Sequence, residues 1–260
     1  MIYGRWDLRK PFDTDKTGLI SYFDNISQTM YSDHGIQCAA GILRLSTKYH
    51  IRTLRAKSSA MLEILCPCNL DKMIANGSVK IDRTARLNHS LIITALAGEC
   101  HVPTLLPAAL YQICMAFPSS GVSDDHLLAE PTLPDKLKAQ CFSGRARIHY
   151  AERQEPTISL DNGQVESLLE SDRAYRKCAG KSQYCSVPSF SVPNDHVFSL
   201  STDVQQVWVE ARLGSWCFKC MSKKAEEFRS RQQVIWDKLP SYFSLGSWEE
   251  LRRERDEYGG

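Results

Sequence analysis

No apolar run in this chain approaches the ~20 residues needed to cross a bilayer. The longest, Leu105 to Phe117, is interrupted by Pro107 and Gln112. The opening stretch, MIYGRWDLRK, brings charges at once and lacks the apolar core of a secretory leader. These absences predict an intracellular protein, of cytoplasm or nucleus, with no membrane partner. Catalytic signatures are missing as well. There is no glycine-rich phosphate loop, no HExxH and no GxSxG, so no enzymatic activity is expected. Charge of one sign is scarce. A formal net charge of +2 over 260 residues argues against nucleic acid as a partner. Strand-like alternation is almost absent, which leaves a mainly α fold.

What is present is ordinary for a globular chain, with 43% hydrophobic and 24% charged residues, so a packed core is expected. The length suits one large or two small domains. The 10 cysteines are many for such a chain. In a reducing compartment they read as buried apolar groups or metal ligands rather than disulfides.

Two helical hairpins dominate the first half. One is CAAGILRLSTKYHIRTLRAKSSAMLEIL, Cys38 to Leu65; the other is LIITALAGECHVPTLLPAALYQICMAF, Leu91 to Phe117. In each, an apolar helix meets a polar break and a second amphipathic helix follows. In the first, Ile42, Leu45 and Tyr49 recur at helical spacing, then Leu54, Met61, Leu62 and Leu65. Cys66-Pro67 ends it, because proline disfavours helical geometry in the residue before it. In the second, Leu105, Leu106, Ala109, Leu110, Ile113 and Cys114 form a wide stripe, with Pro107 in the first turn where a missing N–H costs little. Matched stripes predict that the hairpins stack on each other, burying Leu45, Leu54, Leu62, Leu106, Leu110 and Ile113.

Elsewhere the pattern is weaker. Residues 1–36 have no clean period, and residues 68–89 are polar with a turn signal at Asn76-Gly77. Residues 118–157 hold Pro118, Pro131, Pro134 and Pro156 and read as a linker or excursion. A Cys- and Trp-containing helical extension is expected over 158–245, with helices over Leu160–Cys178, Asp203–Ala211 and Trp216–Leu239. Residues 246–260 read as a charged tail.

Three constellations have chemical potential. Asp124-Asp125-His126 and Asp195-His196 put acid beside base, but they follow Ser- or Pro-rich stretches and read as helix starts. Cys100-His101 closes a helix and reads as a buried thiol beside a surface imidazole. Cys178, Cys185, Cys217 and Cys220 support two readings. Cys217 and Cys220, three apart, can grip one tetrahedral zinc that the other pair completes. Alternatively the four are a packing cluster of inert thiols, which the loose six-residue gap between Cys178 and Cys185 favours. A basic stripe, Arg44, Lys48, Arg52 and Arg55 with Lys57 beside it, faces no acid between residues 41 and 60. It reads as a solvated helix face or a site for an acidic partner.

The segment AGILRLSTKYHIRTLRAKSSAMLEIL resembles the closing hairpin of BTB/POZ domains, in particular the large fungal BTB family, where a similar "ILRLSTKY…LR" block follows the central sheet. The "LLPAALY" helix at Leu105–Tyr111 and WCFKCMSKKAEEFRSRQQVIWDKLPSYFSL at Trp216–Leu245 resemble later blocks of that family, in the same order. The resemblance implies that residues 1–66 are the C-terminal part of a BTB/POZ domain and residues 90–117 a second hairpin. It implies a non-enzymatic adaptor or regulatory scaffold that binds protein partners, either a second copy of itself or a cullin-type scaffold. The family's opening strands and helices do not precede the first hairpin, so the chain resembles an N-terminally truncated member. From another class, the cysteines imply a zinc-stabilised helical domain in a nucleic-acid or transcription-regulatory complex.

Overall fold

Ser32 starts the first helix. Its side-chain oxygen accepts the Gly35 amide at 3.2 Å, and α1 runs Asp33–Lys48. In the computed structural model, residues 30–77, 79, 81–119, 124–131, 133–154, 200 and 218–259 are described. After α1 come α2 (Arg52–Leu62), α3 (Leu70–Gly77) and α4 (Arg83–Glu99). A 3-10 turn, Pro103–Leu105, leads into α5 (Leu106–Ser119). Then follow α6 (Asp124–Ala129), α7 (Asp135–Gln154), α8 (Phe218–Tyr242) and α9 (Trp248–Gly259). There is no strand among the described residues, in line with the mainly helical expectation. No helix among them is long and apolar enough to cross a membrane.

The helix starts follow local chemistry. Asn69 caps α3, its Oδ1 accepting the Asp71 amide at 2.8 Å. Asp82 caps α4, its Oδ2 accepting from Thr84 at 2.9 Å and Ala85 at 3.1 Å. Ser247 and Glu250 form a reciprocal capping box on α9. The Glu250 amide donates to Ser247 Oγ at 3.2 Å and the Ser247 amide to Glu250 Oε2 at 2.7 Å. The Ser247 amide first, and then its hydroxyl, hold the Glu250 carboxyl below the usual carboxylate range.

The helices pack as pairs in series. α1 pairs with α2 and α4 with α5, and α1 packs on α4; α7 and α8 then pack on each other and on α5. One contiguous core joins side chains from Met30 to Leu251. Tyr111, at its centre, accepts the Leu200 amide on its hydroxyl at 2.8 Å, so the core reaches residue 200 as well. α7 comes so close to the end of α8 that a Cβ on Gly144 would enter the buried ring of Phe243.

Pro240 lies inside the last turns of α8. It has no N–H for the carbonyl of Trp236, four residues back. The Trp248 indole supplies the missing donor, Nε1 to Trp236 O at 2.8 Å, and the two indoles stack with centroids 5.3 Å apart. Arg147 Nη1 donates to the Ser241 and Tyr242 carbonyls at 3.3 and 3.0 Å, satisfying the end of the same helix.

Several expectations need correction. Residues 118–157 are not a linker throughout: α6 and the 20-residue α7 lie within them. The α7 stripe is Leu137, Cys141, Gly144 and Ile148, too narrow and too poor in large apolar residues to read as a periodic face. Residues 246–260, expected as a charged tail, contain α9, which buries Trp248 and Leu251. The polar stretch 68–89 contains α3 and the start of α4. Of the six residues expected in the core, Leu62, Leu110 and Ile113 are fully buried, while Leu54 and Leu106 are half-buried at its edge. Leu45 points outward, 57% exposed. The inner face of α1 is instead Ile36, Ala39, Ala40, Leu43 and Ser46.

Candidate interaction surface

Both hairpins turn on the same local device. α1 ends at Tyr49, after which His50 adopts φ 53° and the Ile51 amide donates back to Ser46 O at 2.8 Å. α4 ends at Cys100, after which His101 adopts φ 53° and the Val102 amide donates back to Ala97 O at 3.0 Å. This is the Schellman arrangement, here with histidine in the left-handed position that glycine usually fills. The third instance is Ser244 at the end of α8, φ 57°, with Leu245 donating to Pro240 O at 3.0 Å.

The surroundings of the first two turns differ. At the second, Val102 is fully buried, the 3-10 turn packs beneath α9, and the His101 ring stacks on Tyr258 of α9 at 4.6 Å and 11°. At the first, Leu45, Tyr49 and Ile51 are 57%, 61% and 41% exposed. Leu45 and Tyr49 are four apart and share one helix face, so they form a single apolar ridge, with Ile51, also exposed, two residues beyond Tyr49. Lys48 lies 5.4 Å over the Tyr49 ring, and Arg52 is exposed at the start of α2. Together these residues form a basic-rimmed apolar tip.

The basic stripe expected from the sequence is split. Arg44 is paired with Glu99 at 2.8 Å, both half-exposed. Arg55 is buried. Its Nη2 donates to the carbonyls of Cys100 and His101 at 3.1 and 2.9 Å and so satisfies the open end of α4. Lys48, Arg52 and Lys57 remain on the surface. Nothing in the local sequence marks Arg55 as the inward member, because its partners lie 45 residues away.

The interior also contains polar groups, and their bonds are structural. Gln112 on α5 donates to Leu65 O at 2.8 Å and lies 2.8 Å from Ser90 Oγ. Asn76 donates to Ile64 O and accepts from the Tyr31 hydroxyl at 3.2 Å, while Arg86 Nη2 reaches Val79 O at 3.1 Å. These bonds tie the α2–α3 connection to α4 and α5. His89 is buried with Nε2 3.1 Å from Asp33 in the first turn of α1. A small cavity among Tyr31, Asn76, Arg86, His89 and Gln112 has room for about one water. Burial pushes the neighbouring Cys66 thiol up to about 12, so it is a poor nucleophile near neutrality. Cys100 is raised by burial as well. Cys114 is held protonated by its hydrogen bond with Cys141 and by burial.

Of the residues singled out for zinc or a packing cluster, Cys178, Cys185 and Cys217 lie outside the described residues. Cys220 falls in the first turn of α8, with its side chain outside them too. Among the described residues no three His, Cys, Asp or Glu side chains converge as a metal site. Asp124 begins α6, as a helix-start reading requires; Asp195-His196 lies outside the described residues. Cys100 is buried and His101 exposed, as read from the sequence. No protein-family model, no curated protein and no solved structure matches the chain.

Proposed function

We propose that this chain is a helical protein–protein interaction module, a non-enzymatic adaptor or regulatory scaffold of BTB/POZ type, working through the tip of the α1–α2 hairpin. The observation that supports the reading is the exposed apolar ridge of Leu45, Tyr49 and Ile51 on a hairpin whose other face is locked into the core. Large apolar side chains clustered at the surface, rimmed by polar groups, are typical of contact sites. The same residues form the segment that resembles the BTB closing hairpin. The buried polar groups add support from another side: Gln112, Asn76, Arg86 and Arg55 are spent on backbone carbonyls, and Cys66 is held protonated.

A photo-crosslinking amino acid placed at Tyr49 tests the reading in cells, with Tyr150 on α7, another exposed aromatic, as control. The expected outcome is a discrete crosslinked protein, identified by mass spectrometry, from Tyr49 alone, and its loss in a Leu45→Ser variant. The same proteins from both positions would refute a specific surface at the tip.

A further inference from the structure

The second hairpin shows what satisfies a turn of this kind. Its His101 lies against Tyr258, and Glu63, at the end of α2, pairs with Arg255 at 3.7 Å, both partners belonging to α9. α9 is an amphipathic helix: Trp248, Leu251, Arg255 and Tyr258 recur at i, i+3, i+7 and i+10. A helix with one apolar stripe and charged ends therefore covers a Schellman turn of the α4 type in this fold. The α1 turn has the same backbone and a larger apolar surface, with Tyr49 and Ile51 where the other has Cys100 and Val102. Its exposed rim differs in charge. Lys48 and Arg52 are cationic, no Asp or Glu occurs between residues 41 and 60, and Glu99, which reaches this stretch from α4, is used by Arg44.

We propose that the α1–α2 tip docks an acidic amphipathic helix of a partner protein, whose apolar stripe covers Leu45, Tyr49 and Ile51 and whose carboxylates pair with Lys48 and Arg52. This rests on the reading of the tip as the chain's interaction surface and names the partner's chemistry. An amphipathic helix presents its apolar positions at i, i+3 or i+4 and i+7. Here the ridge of Leu45 and Tyr49 supplies the complementary spacing. The cations contribute mainly to association rate and to rejection of basic helices, and less to affinity.

The test uses the full chain and a fluorescein-labelled synthetic helix carrying Leu at the spacing of the α9 stripe and Glu on its flanks. Two control peptides replace every Glu by Lys, or every Leu by Ser. Fluorescence anisotropy should show saturable binding of the glutamate peptide and at least about tenfold weaker binding of both controls. Lys48→Glu with Arg52→Glu should weaken the glutamate peptide about tenfold and turn the preference toward the lysine peptide. Binding should fall as salt rises from about 0.05 to about 0.3 M, because exposed charges are screened. All the substituted side chains are exposed, so an unchanged thermal melt is expected and verifies the fold.

Equal binding of the Glu and Lys peptides, or no binding of the Glu peptide, overturns the acidic-helix assignment. So does binding that appears only after residues 1–29 are removed, which would make that segment the occupant. Light scattering that shows a dimer dissolved by Tyr49→Ser would assign the tip to a second copy and also overturn it. The interaction-surface reading fails separately, if the Tyr49 crosslinks are no different from those at Tyr150.

Discussion

The two hairpins share a backbone device and differ in what covers it. Each first helix stops on a residue followed by histidine at φ 53°, and each next amide bonds back to the last turn. In the second hairpin only His101 is exposed after the stop, and Val102, Pro103, Thr104 and Leu105 are buried. In the first, Tyr49, His50, Ile51 and Arg52 are all exposed. The same backbone device therefore leads into a core element in one place and a surface feature in the other. The difference comes from α9, which begins more than a hundred residues after both turns and docks on only one of them.

The largest expected contrast lies between the stripes. Leu110→Ala should cost about 2–5 kcal/mol, because a fully buried leucine leaves a cavity. Leu45→Ala should stay within about 0.5 kcal/mol, as for an exposed site. Chemical denaturation of the two variants checks this, and equal losses would break the comparison. Next is Arg55, which belongs to the first hairpin in sequence and to the end of α4 in space. Arg55→Ala should cost about 2–3 kcal/mol by stranding two carbonyls of the second hairpin. Arg44→Ala, which breaks a half-exposed ion pair, should cost well under about 1 kcal/mol.

Alkaline stability sharpens the contrast further. Cys66, at the foot of the first hairpin, has its thiol pushed by burial from 9.0 to about 12. The unfolded chain therefore loses that proton first. Its contribution is fully present below about pH 9 and is lost as pH rises toward 12. By pH 10 the loss should be about 1 kcal/mol from this group. A pH series of denaturation midpoints should fall over that window, and less steeply in Cys66→Ala. A flat series in the parent chain would contradict the buried thiol.

The smallest effect concerns the two histidines. A non-glycine residue in the left-handed region costs about 1–2 kcal/mol, and glycine gives back about 0.5–1 in chain entropy. His50→Gly should therefore stabilise by about 0.5 kcal/mol. His101→Gly should come out near zero, because it also gives up the stack on Tyr258. Paired thermal melts distinguish the two, and identical shifts would mean that α9 contributes nothing at that turn.

Helix existence and several boundaries were legible in the sequence. The break at His101-Val102-Pro103 and the start at Asp124 rest on chemistry within a few residues, whereas the stop expected at Cys66-Pro67 comes earlier, with α2 ending at Leu62. Ser247-Trp-Glu-Glu250 is a capping box, a local signal that announces α9 inside what otherwise looks like a charged tail. The phase of α1 was read a residue or two out. Hydropathy weights Ile42, Leu45 and Tyr49, whereas the packed face uses Ala39, Ala40 and Ser46 beside Ile36 and Leu43. Small residues score poorly in a periodicity yet allow helices to approach closely. α7 was missed for the same reason, with Cys141 and Gly144 in its inner stripe. For the candidate surface, the basic residues were visible, but not that Arg55 is buried and Arg44 paired. Arg55 and Arg44 are committed to groups 45 and 55 residues away.

By itself the sequence determined that this protein is helical where it is described, where several of its helices begin or stop, and that two hairpins end alike. Those outcomes depend on dihedral preferences and hydrogen bonds that close within one turn. Only the tertiary structure decided which face of α1 is inside, which arginine is buried, and which turn α9 covers. Each of these is settled by burial against surfaces far away in the chain. No local preference distinguishes His50 from His101; only the presence of Tyr258 beside one of them does.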